Sequence, residues 1–194
     1  MTREHGKADR ILDAAQRVLA VEGFSGTTIS RVAEEADVSR GLLHYYFESK
    51  DDLLARMLRR STEEAWQIMR GLMDQARSAD ELADSLVRAM RDYARTHEGS
   101  LSLLAEGLAL ARNHPRVQEE MTALHHEGQA VFMQAFEALK ARGAAGVSIP
   151  VRGLATVVIA LFDGLGLELQ TITGLDEDEE TWTAFGESLR RLLA

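Results

Sequence analysis

The stretch Thr27–Leu54, TTISRVAEEADVSRGLLHYYFESKDDLL, decides the fold. Its apolar residues fall into short helical sets divided by turn signals. Ile29, Val32, Ala33 and Ala36 keep the spacing of one helix face over two turns. Thr27 or Thr28 can cap that helix. Asp37 follows at a tight turn, where Gly, Asn and Asp tolerate a left-handed backbone. Val38 anchors the turn and Ser39 can cap the next helix, Arg40 to Phe47. Leu43 and Phe47 face inward there, with Leu42 or Tyr46 beside them. Ser49-Lys50-Asp51-Asp52 opens a longer helix with a serine followed three residues later by a carboxylate, in the manner of a capping box. Upstream, Ile11, Ala14, Ala15, Val18 and Leu19 mark the buried face of a bracing helix that Gly23 stops, with Phe24 returning to the core. Two short helices joined by a tight turn and braced by a third make a helix-turn-helix unit. Three plain core helices are the bland reading of the same pattern.

The outward residues of the Arg40–Phe47 helix separate these readings. They are Ser39, Arg40, Gly41, His44 and Tyr45, with Tyr46 at the edge. Arg40 lies in the first turn, where a recognition helix meets base edges, and arginine can hold guanine by two hydrogen bonds. Gly41 costs up to ~1 kcal/mol of helix propensity, and its missing side chain lets the backbone approach a duplex. His44 and Tyr45 have the length and donors for phosphate oxygens. Lys50 opens the next helix, where a free backbone N–H and an ammonium can share a phosphate. Thr28, Ser30 and Arg31 belong to the preceding helix, which crosses the DNA backbone in this architecture. Their plain readings are a cap for Thr28 and solvated groups for Ser30 and Arg31.

Over roughly residues 7–55 the chain resembles the DNA-binding domain of the TetR family of bacterial transcriptional regulators. The resemblance implies a dimeric all-α protein, most often a repressor, that a small ligand in the C-terminal domain releases from DNA. It implies base-reading or groove-lining roles for Ser39, Arg40 and Gly41, and phosphate contacts for Thr28, His44, Tyr45 and Lys50. Tyr46 would meet backbone or base. The chain departs from the family pattern at two positions. His44 stands where tyrosine is usual, which preserves a phosphate donor and adds pH sensitivity. Asp37 stands where glycine is usual, and it adds negative charge to a surface meant for DNA.

The remainder reads as helices over Ser49–Arg77, Asp80–His97, Ser100–Asn113, Pro115–Arg142, Pro150–Thr173 and Glu179–Leu193, with Gly143–Gly146 as a loop and both prolines in first turns. Six of the seven methionines follow residue 56, and methionine-rich walls adapt to irregular apolar ligands. Trp66, Met69, Met73, Met90, Tyr93, Leu104, Leu108, Phe132, Phe136 and Phe162 are candidates for such a pocket, against the plainer reading of an ordinary core. Glu106 and Arg112 are possible polar anchors. The run Leu154–Phe162 is apolar nearly all round, and Trp182, Phe185, Leu189 and Leu192 keep a 3, 4, 3 spacing suited to helix packing. The resemblance makes Leu154, Val158, Leu161, Leu165 and this seam a dimer interface, in a four-helix bundle with the partner copy. Packing within one chain is the alternative.

Composition sets the remaining limits. The chain has 194 residues, no cysteine, two prolines and a net charge of −9. Without thiols there is no disulfide framework, thiolate metal site or cysteine nucleophile. Residues 1–60 balance at zero charge and residues 61–194 carry the whole −9, so the acidic total does not speak against DNA binding by the first part. The polar N-terminus reads as no signal peptide, and Leu154–Phe162 is far short of the roughly 20 residues that span a bilayer. A cytoplasmic location without membrane attachment is the expectation. His125 and His126 point about 100° apart on a helix and chelate poorly, and His97 and His114 have no evident partners. No phosphate loop or serine nucleophile motif is present, so neither catalysis, metal nor cofactor is expected.

The sequence therefore implies an all-α chain. Residues 1–48 form a three-helix helix-turn-helix DNA-binding domain, and residues 49–194 a helical ligand-binding and dimerisation domain. The expected function is a homodimeric, ligand-responsive regulator, a repressor released from a palindromic operator by a small apolar or amphipathic effector. A transcriptional activator of the same family is the first alternative, and an all-α small-molecule carrier without DNA binding is the second.

Overall fold

The computed structural model describes residues 2–96, 98–143 and 150–194. His97 and the 144–146 part of the expected loop lie outside the described residues. Among the described residues there are nine α-helices and no strand: α1 (Thr2–Gly26), α2 (Ile29–Glu35), α3 (Arg40–Tyr46), α4 (Lys50–Gln75), α5 (Ala79–Thr96), α6 (Glu98–Leu110), α7 (Pro115–Ala141), α8 (Val151–Thr171) and α9 (Glu179–Leu193). A short 3-10 turn, Leu175–Glu177, precedes α9.

The N-terminal helices form for local reasons. Gly23 breaks α1 with φ +65°. The Thr27 hydroxyl then donates to the Gly23 carbonyl at 2.8 Å. Thr28 caps α2 by accepting from the Arg31 N–H at 3.2 Å, and Ser39 caps α3 by accepting from Leu42 N–H at 3.1 Å. Between them Asp37 takes φ +53°, and the Val38 N–H reaches back to the Ala33 carbonyl at 3.0 Å. That bond and the left-handed residue close α2 in a Schellman-type turn. Ser49 accepts from Asp52 N–H at 3.1 Å, while the Asp52 carboxylate accepts from Glu48 N–H at 3.3 Å, so the expected capping box closes one residue early.

The chain divides into two compact units, residues 1–62 with 102–122 and residues 63–101 with 123–194. This does not follow a division after residue 48, because the start of α4 and the α6–α7 corner belong with the helix-turn-helix. Gly107 shows why close packing requires them: a Cβ there would stand 2.9 Å from Leu58 Cδ2 and 3.1 Å from Met121 Sδ. Two buried carboxylates add directional ties. Asp52 meets Arg56 at 3.2 Å and Arg116 at 3.5 Å; Glu120 meets Arg59 at 2.6 Å and Arg116 at 3.0 Å. Burial of these charges is tolerable because each has two cationic partners. His114, expected to stand alone, places Nδ1 3.0 Å from Asp51 and sets its ring edge-on to Phe24 at 5.2 Å.

The second unit is built around Leu82, Leu86, Phe132, Phe136, Leu154 and Leu189, all fully buried. Leu154, Val158, Trp182, Phe185 and Leu189 lie buried within their own chain, and Leu161, Leu165 and Leu192 pack against the same core. The Trp182 indole donates to the Asp176 carbonyl at 2.9 Å, and the Arg91 guanidinium lies 5.2 Å over its ring. The apolar spacing of α9 thus closes an intrachain core.

Helix α8 also departs from expectation. It runs 21 residues, and an 18-residue stretch of it has a mean hydropathy of 1.4, long and apolar enough by length and composition to cross a membrane. The nine-residue apolar run understated it, because Gly164 to Leu169 continue the same helix. Its Leu154, Ala155, Val158 and Ile159 face is buried in the unit's core. Pro115 opens α7, but Pro150 is the N-cap of α8 rather than a first-turn residue. Asp163 sits in the middle of α8. Half-buried, it makes no hydrogen bond or ion pair with any described residue, and desolvation pushes its pKa from the ordinary 3.8 up to about 6.

Two outcomes follow from these contacts. Thr28→Ala and Ser39→Ala should each lower unfolding free energy by about 1 kcal/mol in urea titrations, and Asp at either position should restore most of it. The second concerns Asp163, which binds its proton more tightly folded than unfolded. Its burial therefore costs no stability below about pH 4, and the cost grows to its full value above about pH 6. Asp163→Asn should raise Tm at pH 7.5, and the gain should vanish in the same melts near pH 3.5.

Candidate nucleic-acid interface

Helix α3 has seven residues, too few to stand alone, and its phase is set by what it buries. Leu43 and Phe47 are fully buried, while Leu42 and Tyr46 are half-buried. This leaves Ser39, Arg40, Gly41, His44 and Tyr45 exposed on the opposite side. Tyr45 is 71% exposed and stands edge-on to Tyr46 at 5.1 Å. Arg40 makes no hydrogen bond or ion pair with any described residue. At Gly41 a Cβ would meet nothing nearer than Ser39 Oγ at 3.9 Å. The fold leaves room there for a side chain, so packing gives no reason for glycine.

The neighbouring cations are committed differently. Arg31 is gripped by Glu22 at 2.7 Å, Glu35 at 3.4 Å and Glu34 at 3.8 Å. The hydrogen bond to Glu22, with the nearby carboxylates, pushes its pKa further above the ordinary value against a smaller effect of burial. Arg17 pairs with Glu35 at 2.9 Å and holds that carboxyl below its usual range. Lys50 Nζ lies 3.8 Å over the Phe24 ring and donates to the Ser25 carbonyl at 3.4 Å. Burial lowers its pKa, and Asp51 and Glu106 oppose that shift. Thr28 and Ser39 spend their oxygens on caps, and Ser30 is half-buried. Asp37 is exposed beside α3. Of the expected set, Arg40, Gly41, His44 and Tyr45 thus form one open face, while Arg31 and Lys50 are tied to their own chain.

The expected pocket residues divide between the units. Met69, Met73, Met90, Phe132 and Phe136 are core members of the second unit, and Trp66, Tyr93 and Phe162 pack against that core. Leu104 and Leu108 belong to the first unit, where Leu108 is exposed. Trp66 stands edge-on to Phe132 at 6.0 Å, and its Nε1–H is buried without an acceptor. The sequence reading passed over Asp163, although a lone carboxylate within an apolar run is a visible signal. It also missed the clamps on Asp52 and Glu120, whose partners are distant in sequence.

Comparison with known proteins agrees with this geometry. The profile of bacterial regulatory proteins of the tetR family matches residues 11–57. Over the whole chain and 94% of its relative, the sequence is 27% identical to YfiR of Bacillus subtilis, an HTH-type transcriptional regulator. It is 28% identical to NicS of Pseudomonas putida, an HTH-type transcriptional repressor, over 70% of this chain and 64% of NicS. Three further relatives match over 55 to 58 residues, which is only 27% to 30% of their own length. Among solved structures, Salmonella enterica GusR superposes with a TM-score of 0.86 at 24% identity, covering 100% of this chain and 98% of GusR. The left-handed turn, the buried phase of α3 and a family profile centred on them point one way: residues 11–57 carry a helix-turn-helix of the kind found in bacterial regulatory proteins of the tetR family.

Proposed function

We propose that the chain is a homodimeric transcriptional regulator that binds a palindromic DNA operator through residues 1–48 and is released by a small apolar or amphipathic effector. The observation that carries this reading is the unpaired Arg40, presented in the first turn of α3 beside a glycine that packing does not require. Arg40 reads a base edge, and Ser39 and Gly41 line the groove. His44, Tyr45 and Thr28 hold phosphates, with Tyr46 at the margin. Lys50 retains ammonium donors beyond the one spent on Ser25 and serves the backbone from the start of α4. Ser30 and Arg31 contribute least, because three carboxylates already neutralise Arg31. NicS is described as a repressor, which supports repression over activation. The chemistry is binding rather than catalysis, and the setting is the bacterial cytoplasm.

A dimer places two α3 helices roughly 34 Å apart on one duplex face. The surface assigned to that dimer is the outward stripe Gly153, Val157, Ala160, Gly164 and Leu167 of α8, at alternating spacings of four and three, with Ala184 and Ser188 of α9. Val157 is 47% and Leu167 45% exposed, and unburied apolar groups at heptad spacing suit helix pairing. Helices α4, α6 and α7 each contribute residues to both units. Through them, effector binding shifts DNA affinity by a coupling typically worth ~1–3 kcal/mol.

Arg40→Ala should leave Tm unchanged and cost about 1–3 kcal/mol of discrimination between operator and mismatched duplex in fluorescence anisotropy titrations; retained operator preference would remove Arg40 from base reading. Lys50→Ala should weaken both duplexes alike and shallow the salt dependence. A double change, Val157→Glu with Leu167→Glu, should yield folded monomers in sedimentation velocity. An unchanged dimer would move the interface elsewhere.

A further inference from the structure

Helix α4 carries Asp52, Arg56 and Arg59 at steps of four and three residues, which puts them on one face, and α7 carries Arg116 and Glu120 one turn apart. Packing brings the two faces together inside the first unit, with both carboxylates buried. Each carboxylate divides its oxygens. Asp52 Oδ2 takes Arg56 Nε at 3.2 Å and the Glu48 backbone N–H at 3.3 Å, while Oδ1 faces Arg116 Nε at 3.5 Å. Glu120 Oε1 takes Arg59 at 2.6 Å, while Oε2 takes Arg116 Nη1 at 3.0 Å. Arg116 therefore spends separate nitrogens on the two carboxylates, an arrangement that suits a forked guanidinium and not a single ammonium nitrogen.

This series of contacts ends on α3. Glu48 follows Phe47, the buried residue that closes the helix, and the Arg56 guanidinium lies 5.3 Å over the Phe47 ring. Asp52 thus holds both the backbone just past α3 and the cation that covers its anchor. Arg56 lies on the same helix as Asp52, so it gives that carboxylate no fixed point elsewhere in the unit. Among the described residues, Arg116 alone pairs with Asp52 from another helix. A seven-residue helix depends on such outside support.

We infer that Arg116 is a positioning residue for DNA recognition: from α7 it locks Asp52, and through the Glu48 N–H and Arg56 it seats α3 so that Arg40 meets the groove. The inference rests on the DNA-binding reading above, and Arg116 acts without touching the duplex. Its loss leaves Asp52 with Arg56 and Glu120 with Arg59, so neither carboxylate is stranded and the fold survives. What disappears is the fixed point for the end of α3.

The test uses the full chain and two duplexes, one enriched from a randomised library by the wild-type protein and one a scramble of it. Arg116→Lys keeps the charge without the fork, Arg116→Gln removes the charge, and Asp52→Asn keeps an acceptor for the Glu48 N–H without the ion pair. Well below its Tm, each variant should bind the enriched duplex at least about tenfold more weakly, with poorer discrimination and an unchanged salt dependence. Joining Arg116→Gln to Asp52→Asn should cost no more than either alone, because both cut the same link. In hydrogen exchange without DNA, residues 40–48 should exchange faster in each variant while residues 179–193 keep the wild-type rate. Wild-type affinity in Arg116→Lys, with a salt slope shallower by about one in Arg116→Gln, would make Arg116 a phosphate contact instead. Wild-type affinity in all three, losses that multiply in the double variant, or exchange that is unchanged at residues 40–48 or faster in both segments alike would equally overturn the inference. If no duplex is enriched, the DNA-binding reading fails, and exchange at residues 40–48 still decides whether Arg116 seats α3.

Discussion

Two buried side chains, Leu43 and Phe47, fix everything that α3 can offer. A helix of seven residues has almost no stability of its own. It exists here because Ser39 begins it and because those two residues anchor one side. Once they are buried, 3.6-residue periodicity dictates that Arg40, Gly41, His44 and Tyr45 look outward. Asp37 supplies the other half of the constraint, since its left-handed backbone sets where α3 departs from α2. The candidate recognition surface is thus a by-product of core packing and one turn, before any partner is considered.

Much of this was legible because it is local. The buried face of α1, the caps at Thr28 and Ser39, the turn at Asp37 and the inward pair on α3 are all written within spans of nine residues or fewer. The failures are non-local. The 3, 4, 3 spacing on α9 identifies a packing face without naming what covers it, and α5 packs against α9 within the same chain. The pairing of His114 with Asp51 spans 63 residues, and that of Arg59 with Glu120 spans 61; no local pattern announces either. Lys50 reads as a free cation until the aromatic ring of Phe24 is placed beneath it. The extent of α8 was legible, since a helix over Pro150–Thr173 was expected and Val151–Thr171 forms, but its apolar length was not, because a residue-by-residue hydropathy run stops at Asp163.

The two units treat charge in opposite ways. In the first, five arginines are spent on Asp52 and Glu120, or on the carboxylates around α2, and residues 1–60 balance to neutrality. An acidic protein can thereby carry a neutral N-terminal part whose free arginine is conspicuous. In the second, Asp163 is half-buried on α8 and has no counter-ion among the described residues. Buried ion pairs constrain geometry even where they add little stability. That makes the clamped pairs fasteners for the α4 and α7 segments of the first unit, whereas Asp163 is chemically unfinished.

The open space at Gly41 bears on how such a protein changes its target. Most positions on a small helix cannot be altered without disturbing its seat. Here a vacant position stands next to the arginine, on the exposed side, with no neighbour to displace. A new side chain could be planted there with the scaffold intact and even with improved helix propensity. Divergence toward a different operator therefore has an unobstructed route, one codon wide, that leaves the rest of the fold untouched.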